Sequence, residues 1–251
     1  MKRTIIIMAK VPVAGAVKTR LEPFLSPKKC AELAAAFLQD AETKAKTVCE
    51  NTILAYAPAE QKNVLENFLH GENTLVEQTG ATLGERMENA FGFAFVRRSG
   101  AVVMIGTDSP TLPAEFIERA FEILETDYDL VLGKAKDGGF YLIGGREIHS
   151  ELFANVEWSS AAVFEQTKKN AEQLNLRWRE TPDKIKQESV TKKLDFRLHL
   201  NRMEHAQPTL FLFATPTAAC SILPSTSRAK IFRRKLIRVI FTSEPLPIAQ
   251  K

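Results

Sequence analysis

The sequence has 251 residues, of which 45% are hydrophobic and 25% are charged, as is usual for folded domains. Three cysteines without a Cys-x-x-Cys pair exclude a disulfide framework, and four scattered histidines lack the spacing of a structural zinc site. No apolar run reaches the roughly 18 residues of a membrane span, and the apolar run near the N-terminus is too short for a secretory signal. We therefore expect a cytoplasmic protein that is not inserted into a membrane.

Charge and glycine content change near Pro182. Residues 1–182 hold 21 Lys and Arg against 25 Asp and Glu, whereas residues 183–251 hold 13 against 5. All 12 glycines precede residue 146, but five of the 12 prolines lie after residue 182. We interpret residues 1–182 as one folded domain and residues 183–251 as an atypical basic C-terminal tail. Because the domain is net acidic, its charge does not favour nucleic-acid binding.

Apolar runs and helical periodicity alternate along the predicted domain. Short apolar runs predict strands at 4–9, 52–56, 74–77, 101–106, 128–133, 140–144 and 176–180. Apolar residues at helical spacing predict helices at 27–46, 60–69, 83–98, 113–124 and from 159 to 174. We expect N-caps at Ser26, Thr111 and Ser159. This alternation predicts an α/β fold with a mostly parallel sheet.

Ligands of such folds bind beyond the carboxyl ends of the strands. The segment after the first strand, KVPVAGAVKTR, is basic and contains a glycine that can adopt a positive φ. Its arginine and lysines suit the oxygens of a diphosphate, although the Walker A and Gly-x-Gly-x-x-Gly patterns are absent. The candidate phosphate-binding residues are Lys10, Gly15, Lys18, Thr19 and Arg20. A solvated basic loop is the alternative.

A single aspartate, Asp108, follows the fourth predicted strand in the string GTDSP. Mg²⁺ and Mn²⁺ are often held by one or two carboxylates together with substrate phosphates. Asp108 is therefore a candidate metal ligand in the same crevice as the basic loop. The alternative is that Asp108 only caps the turn before Pro110.

The string KAKDGGFY contains Asp-Gly-Gly between two predicted strands, which is typical of a hairpin turn. In a functional interpretation Asp137 is a second carboxylate that faces the ligand. Gly138, Gly139 and Tyr141 are then candidate substrate contacts.

Gly84 lies at a predicted helix start, whose N–H groups could meet an anion, and an ordinary helix start is the alternative. We expect Trp158 to pack in the core or in a lid.

Several strings together resemble the bacterial DUF2064 family. They are MAKVPVAGAVKTRLEP, GATLGERMENAF, VVMIGTDSPTLP, DLVLGKAKDGGFYLIGG and LFANVEWSSAAVFEQT, and the match covers roughly residues 3–182 in the family's order and spacing. That family is described as glycosyltransferase-like. The implied fold is the GT-A fold of nucleotide-diphospho-sugar transferases, a Rossmann-like three-layer α/β/α sandwich. The first string is also similar to the N-terminal loop of guanylyltransferases that share this fold.

The resemblance implies a glycosyltransferase that uses a nucleotide-diphospho-sugar donor, a small-molecule acceptor and Mg²⁺ or Mn²⁺. The residues implied to hold the nucleotide diphosphate are Lys10, Gly15, Lys18 and Arg20. Asp108 would bind the metal, although one aspartate stands here instead of Asp-x-Asp, and Asp137 would face the acceptor or a second metal. A nucleotidyltransferase that releases pyrophosphate and a non-catalytic nucleotide-binding module are the alternatives.

The sequence departs from the family pattern after Thr181. The closing strand and helix of the family are replaced by KIKQESVTKKLDFRLHL, at the point where the basic tail begins. We hypothesise that residues 183–251 are a divergent or frameshifted end. If the tail is genuine, the alternation of cations and apolar residues at 230–238 is typical of a partner-binding or membrane-surface segment.

Overall fold

The computed structural model describes residues 1–70 and 73–181 of the protein. The seven strands are Arg3–Lys10 (β1), Thr52–Ala57 (β2), Thr74–Glu77 (β3), Ala101–Gly106 (β4), Leu130–Lys134 (β5), Phe140–Gly145 (β6) and Trp178–Glu180 (β7). The five α-helices are Pro27–Val48 (α1), Lys62–Glu66 (α2), Leu83–Val96 (α3), Ala114–Leu124 (α4) and Val163–Gln173 (α5). Short 3₁₀ helices lie at Thr19–Leu21, Ala59–Gln61 and Ser150–Phe153. The hypotheses about residues 183–251 fall outside the described residues.

The strands form one sheet in the order β3-β2-β1-β4-β6-β5-β7. β6 is antiparallel to both of its neighbours, and the other pairings are parallel. The carboxyl ends of β1, β2, β3, β4, β5 and β7 therefore lie at one edge of the sheet, which we call the carboxyl edge. The predicted α/β fold with a mostly parallel sheet is confirmed.

Helices cover both faces of the sheet. Ile5 and Ile7 of β1 are fully buried on the face that carries α1 and α4. Ile6 points to the opposite face and packs in one cluster with Phe91 of α3 and Phe164 of α5. Each such side chain stabilises the fold by about 1.5–3 kcal/mol through burial of apolar surface. This alternation produces the three-layer α/β/α sandwich that the family resemblance implied.

One of the three predicted helix caps is confirmed. Ser26 precedes α1, and its side chain accepts a hydrogen bond from the Lys29 N–H. The cap at Thr111 is wrong, because extended Pro113 is the N-cap residue and α4 begins one residue after it. The cap at Ser159 is also wrong: Ser159 has a left-handed φ of 68°, and α5 begins only at Val163. A capping side chain must directly precede the first helical turn, which neither residue does.

The predicted helix at 60–69 is shorter in the structure. A 3₁₀ turn leads into α2, which ends at Glu66. Phe68 and Leu69 then donate hydrogen bonds three residues back, to Leu65 and Glu66, so the chain leaves the helix through tight turns. None of the helices in the described ranges combines the length and the apolar character that crossing a membrane requires.

Candidate active site

The predicted site residues lie in loops that leave the carboxyl edge. The β1–α1 loop carries the basic segment, the β4–α4 loop carries Asp108, and the β5–β6 hairpin carries Asp137. Met8 of β1 pairs in register with Gly106 of β4. β4 ends at this pair, and β1 ends two residues beyond it, at Lys10. The two loops therefore start side by side.

Lys18 and Asp108 are in direct contact. The Lys18 Nζ donates a hydrogen bond to the Asp108 Oδ1 at 2.7 Å, although the two residues are 90 positions apart in sequence. The Lys18 side chain is only 18% exposed, whereas that of Asp108 is 85% exposed. The ammonium group also lies 4.7 Å from the centroid of the Phe37 ring on α1, a cation–π contact. The contact brings the basic loop and Asp108 together at the carboxyl edge.

The backbone of the basic loop is fixed on both sides of Lys18. Val17 and Leu21 are buried, and Lys18 itself adopts a left-handed conformation with φ 51° and ψ 32°. Leu21 donates its N–H to the Lys18 carbonyl, which starts the 3₁₀ helix Thr19–Leu21. The loop therefore directs Lys18 toward Asp108 through a conformation that residues other than glycine adopt rarely.

The remaining basic-loop candidates are exposed around this contact. Lys10 ends β1, and Thr19 and Arg20 lie in the 3₁₀ helix directly after Lys18. Gly15 has a φ of +79°, and a Cβ built there would have no described heavy atom within 4 Å. The chain at Gly15 is thus open enough for a ligand to approach its backbone. The phosphate-binding roles of these residues stay predictions.

The β5–β6 hairpin has the turn that Asp-Gly-Gly predicted. The Asp137 Oδ1 accepts a hydrogen bond from the Gly139 N–H at 3.1 Å, and Ala135 donates to the Gly139 carbonyl at 2.9 Å. Gly138 has a φ of +86°, and a Cβ there would lie 2.1 Å from the carbonyl oxygen of Ala161. Close packing against the segment before α5 therefore requires glycine at 138. The ligand contacts of Asp137, Gly138 and Gly139 stay predictions.

Tyr141 packs below this hairpin. Its hydroxyl is 2.7 Å from the Thr181 Oγ1, and its ring meets Phe116 edge-on. The ring also lies against Gly133, where a Cβ would come within 2.6 Å of it. The structure thus gives Tyr141 a packing role between β5, β6 and α4, and its substrate contact stays a prediction.

Gly84 is buried at the start of α3. A Cβ there would lie 2.8 Å from the Trp158 Cζ2 and 2.9 Å from the Phe153 Cβ. Thr82 caps the helix by accepting from the Glu85 N–H, and the Glu85 carboxylate accepts from the Ala81 N–H. Gly84 therefore lets Trp158 approach α3, which confirms the packing role expected of Trp158. Anion binding at this helix start stays a prediction.

Lys44 was not found by sequence reasoning. It lies on α1, and its Nζ donates to the Pro110 carbonyl at 2.9 Å. Burial lowers the pKa of its ammonium group. The bond ties α1 to the loop that carries Asp108. A usable pattern was present, because Lys44 follows Phe37 and Ala41 on the apolar face of the helix.

Gln78 holds the carboxyl edge together from the end of β3. Its side-chain amide donates to the carbonyls of Ala9 and Ala55, at 3.1 and 2.8 Å. The ends of β1, β2 and β3 are thereby linked by one side chain. No sequence pattern points to this role, since it depends on which strands are neighbours.

Among the described residues, Asp108 is the predicted ligand for a divalent cation at this site. Within residues 1–70 and 73–181, no three His, Cys, Asp or Glu side chains are grouped so that they could hold a metal ion. Mg²⁺ and Mn²⁺ accept one or two carboxylates when phosphate oxygens and water complete the shell. The exposed carboxylate of Asp108 fits a metal site of this kind, in which the phosphates of the ligand supply the remaining ligands together with water.

A polar cleft of about 330 Å³ lies at the opposite edge of the sheet. Its lining includes Lys2, Thr4, Asn51, Thr52 and Arg97, from the starts of β1 and β2 and the end of α3. It contains none of the predicted site residues. Because ligands of open α/β sheets bind beyond the carboxyl ends of the strands, we place the active site at the carboxyl edge instead.

A model of the DUF2064 family, described as an uncharacterized protein conserved in bacteria, matches residues 38–160. The DUF2064 segment includes Gly84, Asp108 and the β5–β6 hairpin, and it begins after the basic loop. No curated protein matches the chain.

The chain is also similar to solved structures. A crystal structure of a "putative nucleotide-diphospho-sugar transferase" from Desulfovibrio desulfuricans G20 shares 29% sequence identity, with a TM-score of 0.71. The similarity covers 82% of this chain and 96% of that one. The fold described here is therefore similar to that of the Desulfovibrio protein.

Two further structures are more distant. A cytidylyltransferase from Leptospira borgpetersenii has 10% identity and a TM-score of 0.47, with coverage of 73% of this chain and 77% of that one. The 4-diphosphocytidyl-2C-methyl-D-erythritol synthase of Anaerococcus prevotii has 11% identity and a TM-score of 0.47, with coverage of 78% and 96%.

Proposed function

We propose that the protein is a glycosyltransferase that uses a nucleotide-diphospho-sugar donor together with Mg²⁺ or Mn²⁺. The observation that supports it most directly is the 2.7 Å contact between the Lys18 Nζ and the Asp108 Oδ1. It joins a basic loop and a carboxylate at the edge of the sheet where ligands of this architecture bind. The similarity to the Desulfovibrio protein supports the same class of donor.

The basic loop would hold the diphosphate of the donor. Arg20 offers forked donors and Lys18 a compact positive charge, and both lie within the same turn of chain. Backbone N–H groups near Gly15 can approach the phosphates because no side chain intervenes there. These groups would stabilise the negative charge that develops on the leaving nucleotide diphosphate.

Asp108 would hold the divalent cation together with oxygens of that diphosphate. When bound, such an ion supplies positive charge that stabilises the leaving group. From α1, Lys44 donates a hydrogen bond to the Pro110 carbonyl, which holds the backbone of the loop that carries Asp108.

The acceptor would enter beside the β5–β6 hairpin. Asp137 stands at the tip of this hairpin, with its carboxylate oriented by the Gly139 N–H. It can serve as general base if the acceptor hydroxyl binds within about 3 Å of it.

The test is a product assay on the full chain with Mn²⁺. A panel of nucleotide-diphospho-sugars is incubated with candidate acceptors, and release of nucleoside diphosphate is measured. In parallel, nucleoside triphosphates are supplied with sugar phosphates, and pyrophosphate is measured. Diphosphate release that depends on Mn²⁺ and on acceptor supports the proposal. Pyrophosphate release would replace it with nucleotidyl transfer, and nucleotide binding without any turnover would replace it with a non-catalytic binding module.

A further inference from the structure

The contact between Lys18 and Asp108 places a cation of the protein on the carboxylate that we assign to the metal. We infer that Lys18 makes binding of the divalent cation and of the diphosphate mutually dependent, since it must leave Asp108 before the metal can use that carboxylate. This inference rests on the proposed function. It adds that Lys18 pairs first with Asp108 and then, once the nucleotide is bound, with the diphosphate.

The ion pair opposes binding of a metal on its own. At 2.7 Å from the Asp108 Oδ1, the ammonium group of Lys18 occupies one carboxylate oxygen and neutralises its charge. A divalent cation that approaches Asp108 is also repelled by the positive charge of Lys18. Within the described residues Asp108 is not part of any group of three or more His, Cys, Asp or Glu side chains that could hold a metal ion, so no such cluster offsets this repulsion.

The ion pair is also one that a phosphate can separate. Asp108 is 85% exposed, and exposed ion pairs are weak because water and salt screen them. A diphosphate carries more negative charge than one carboxylate, so it attracts the ammonium group more strongly. Asp108 then recovers its full charge and becomes available to the metal.

This exchange predicts effects of opposite sign when Lys18 loses its charge. The variant Lys18→Met removes the competing cation from Asp108, so Mn²⁺ alone should bind more tightly. It also removes a phosphate contact, so nucleoside diphosphate should bind more weakly. If Lys18 only bound phosphate, the variant would weaken nucleotide binding and leave Mn²⁺ binding unchanged. If Lys18 only supported the fold, the variant would not tighten Mn²⁺ binding.

The experiment measures Mn²⁺ binding by water-proton relaxation, with GDP and UDP each present or absent. In the wild-type chain we expect either nucleotide to tighten Mn²⁺ binding about tenfold, and Mn²⁺ to tighten nucleotide binding by the same factor because the coupling is reciprocal. In Lys18→Met we expect Mn²⁺ alone to bind about threefold more tightly. We also expect the tenfold coupling to fall to about threefold or less.

Three further variants test the conclusion. Lys18→Gly removes the charge and suits the left-handed backbone, so it tests the same step if the methionine variant folds poorly. Arg20→Ala is the matched control in the same loop: it should weaken nucleotide binding without tightening Mn²⁺ alone. Lys168→Met removes a lysine whose ion pairs lie on α5, and it should change neither affinity.

The outcomes separate the inference from the proposed function. If the wild-type chain binds GDP or UDP with Mn²⁺, but both Lys18 variants leave Mn²⁺ binding unchanged or weaken it, the exchange is wrong and the proposed function stands. If the wild-type chain binds no nucleoside diphosphate of a panel that contains ADP, CDP, GDP, dTDP and UDP, the proposed function is overturned and the exchange with it.

Discussion

At the scale of single residues, the site depends on a few side chains whose neighbours are distant in sequence. Lys18 would be an ordinary loop lysine without Asp108, which lies 90 positions later. Gly84 and Gly138 resemble functional glycines in the sequence, but each faces a heavy atom within 3 Å of where its Cβ would be. Packing therefore explains these two glycines, whereas Gly15 stays open to a ligand.

Asp108→Asn should abolish metal-dependent turnover. The amide keeps the shape of the side chain but removes the negative charge that a divalent cation needs. The fold should persist, with a change in unfolding free energy below about 1 kcal/mol, because the ion pair with Lys18 is exposed. The measurement is product release at saturating Mn²⁺, with urea unfolding to check the fold. Turnover equal to that of the wild-type chain would contradict the assignment of the metal to Asp108.

Gly138→Ala and Gly15→Ala should differ in stability although both glycines have a positive φ. At 138 the new methyl group would lie 2.1 Å from a backbone oxygen, so we expect a loss above about 2 kcal/mol. At 15 the methyl group enters open space, and only backbone strain of about 1 kcal/mol is added. Urea unfolding of the two variants provides the comparison. Equal losses would show that the hairpin can move away from Ala161.

At the scale of elements, short strand β7 is held by a polar network at the edge opposite the site. Asp129 directly precedes β5, and its carboxylate accepts hydrogen bonds from the Arg177 side chain and backbone and from Arg146. The pKa of Asp129 lies well below its usual range, mainly because the Arg177 side chain donates hydrogen bonds to the carboxylate. The network fixes where β7 joins β5.

Asp129→Asn should reduce the acid sensitivity of the fold. Because the folded pKa of Asp129 is depressed, its contribution to stability is present above the unfolded pKa of about 3.9 and is lost as pH falls below it. We expect the variant to melt about 2–4 °C lower at pH 7, and the difference to shrink toward pH 2. Thermal unfolding across pH measures both effects.

Asp127→Asn is the matched control for this network. Its carboxylate is 99% exposed and lies 3.9 Å from Arg177, so the melting temperature should not change at any pH. An equal loss in both variants would mean that general surface charge, and not the Asp129 network, stabilises β7.

At the scale of the whole molecule, the two large core clusters are built from residues between Ile5 and Ala171. Thr181 is buried and donates its N–H to the Leu132 carbonyl, so the chain still belongs to the sheet edge at that point. This supports the proposal that residues 1–182 form one domain. The composition of the sequence changes directly afterwards.

A chain that ends at Pro182 should fold and should bind nucleoside diphosphate with Mn²⁺ as the full chain does. We expect its melting temperature to lie within about 2–4 °C of that of the full chain, because the core clusters are retained. Differential scanning calorimetry and Mn²⁺ relaxation provide the measurements. An insoluble or unfolded product would show that residues 183–251 complete the domain.

Much of the fold could be predicted because local patterns reflect local physics. The strands at 74–77 and 101–106 have the predicted bounds, and Ser26 caps α1 as expected. The caps predicted at Thr111 and Ser159 are wrong: α4 begins after extended Pro113, and α5 begins only at Val163, beyond the segment at Ala161 that packs against Gly138.

The alternation of strands and helices, and with it the loops that reach the carboxyl edge, follows from local patterns in the sequence. These features depend on residues within a few positions of one another, so periodicity and turn chemistry record them. The folded chain alone reveals that Lys18 meets Asp108, that Lys44 supports the loop beside it and that Gly138 is a packing glycine. Such contacts depend on strand order, on register and on single backbone angles, and no local pattern in a sequence encodes these.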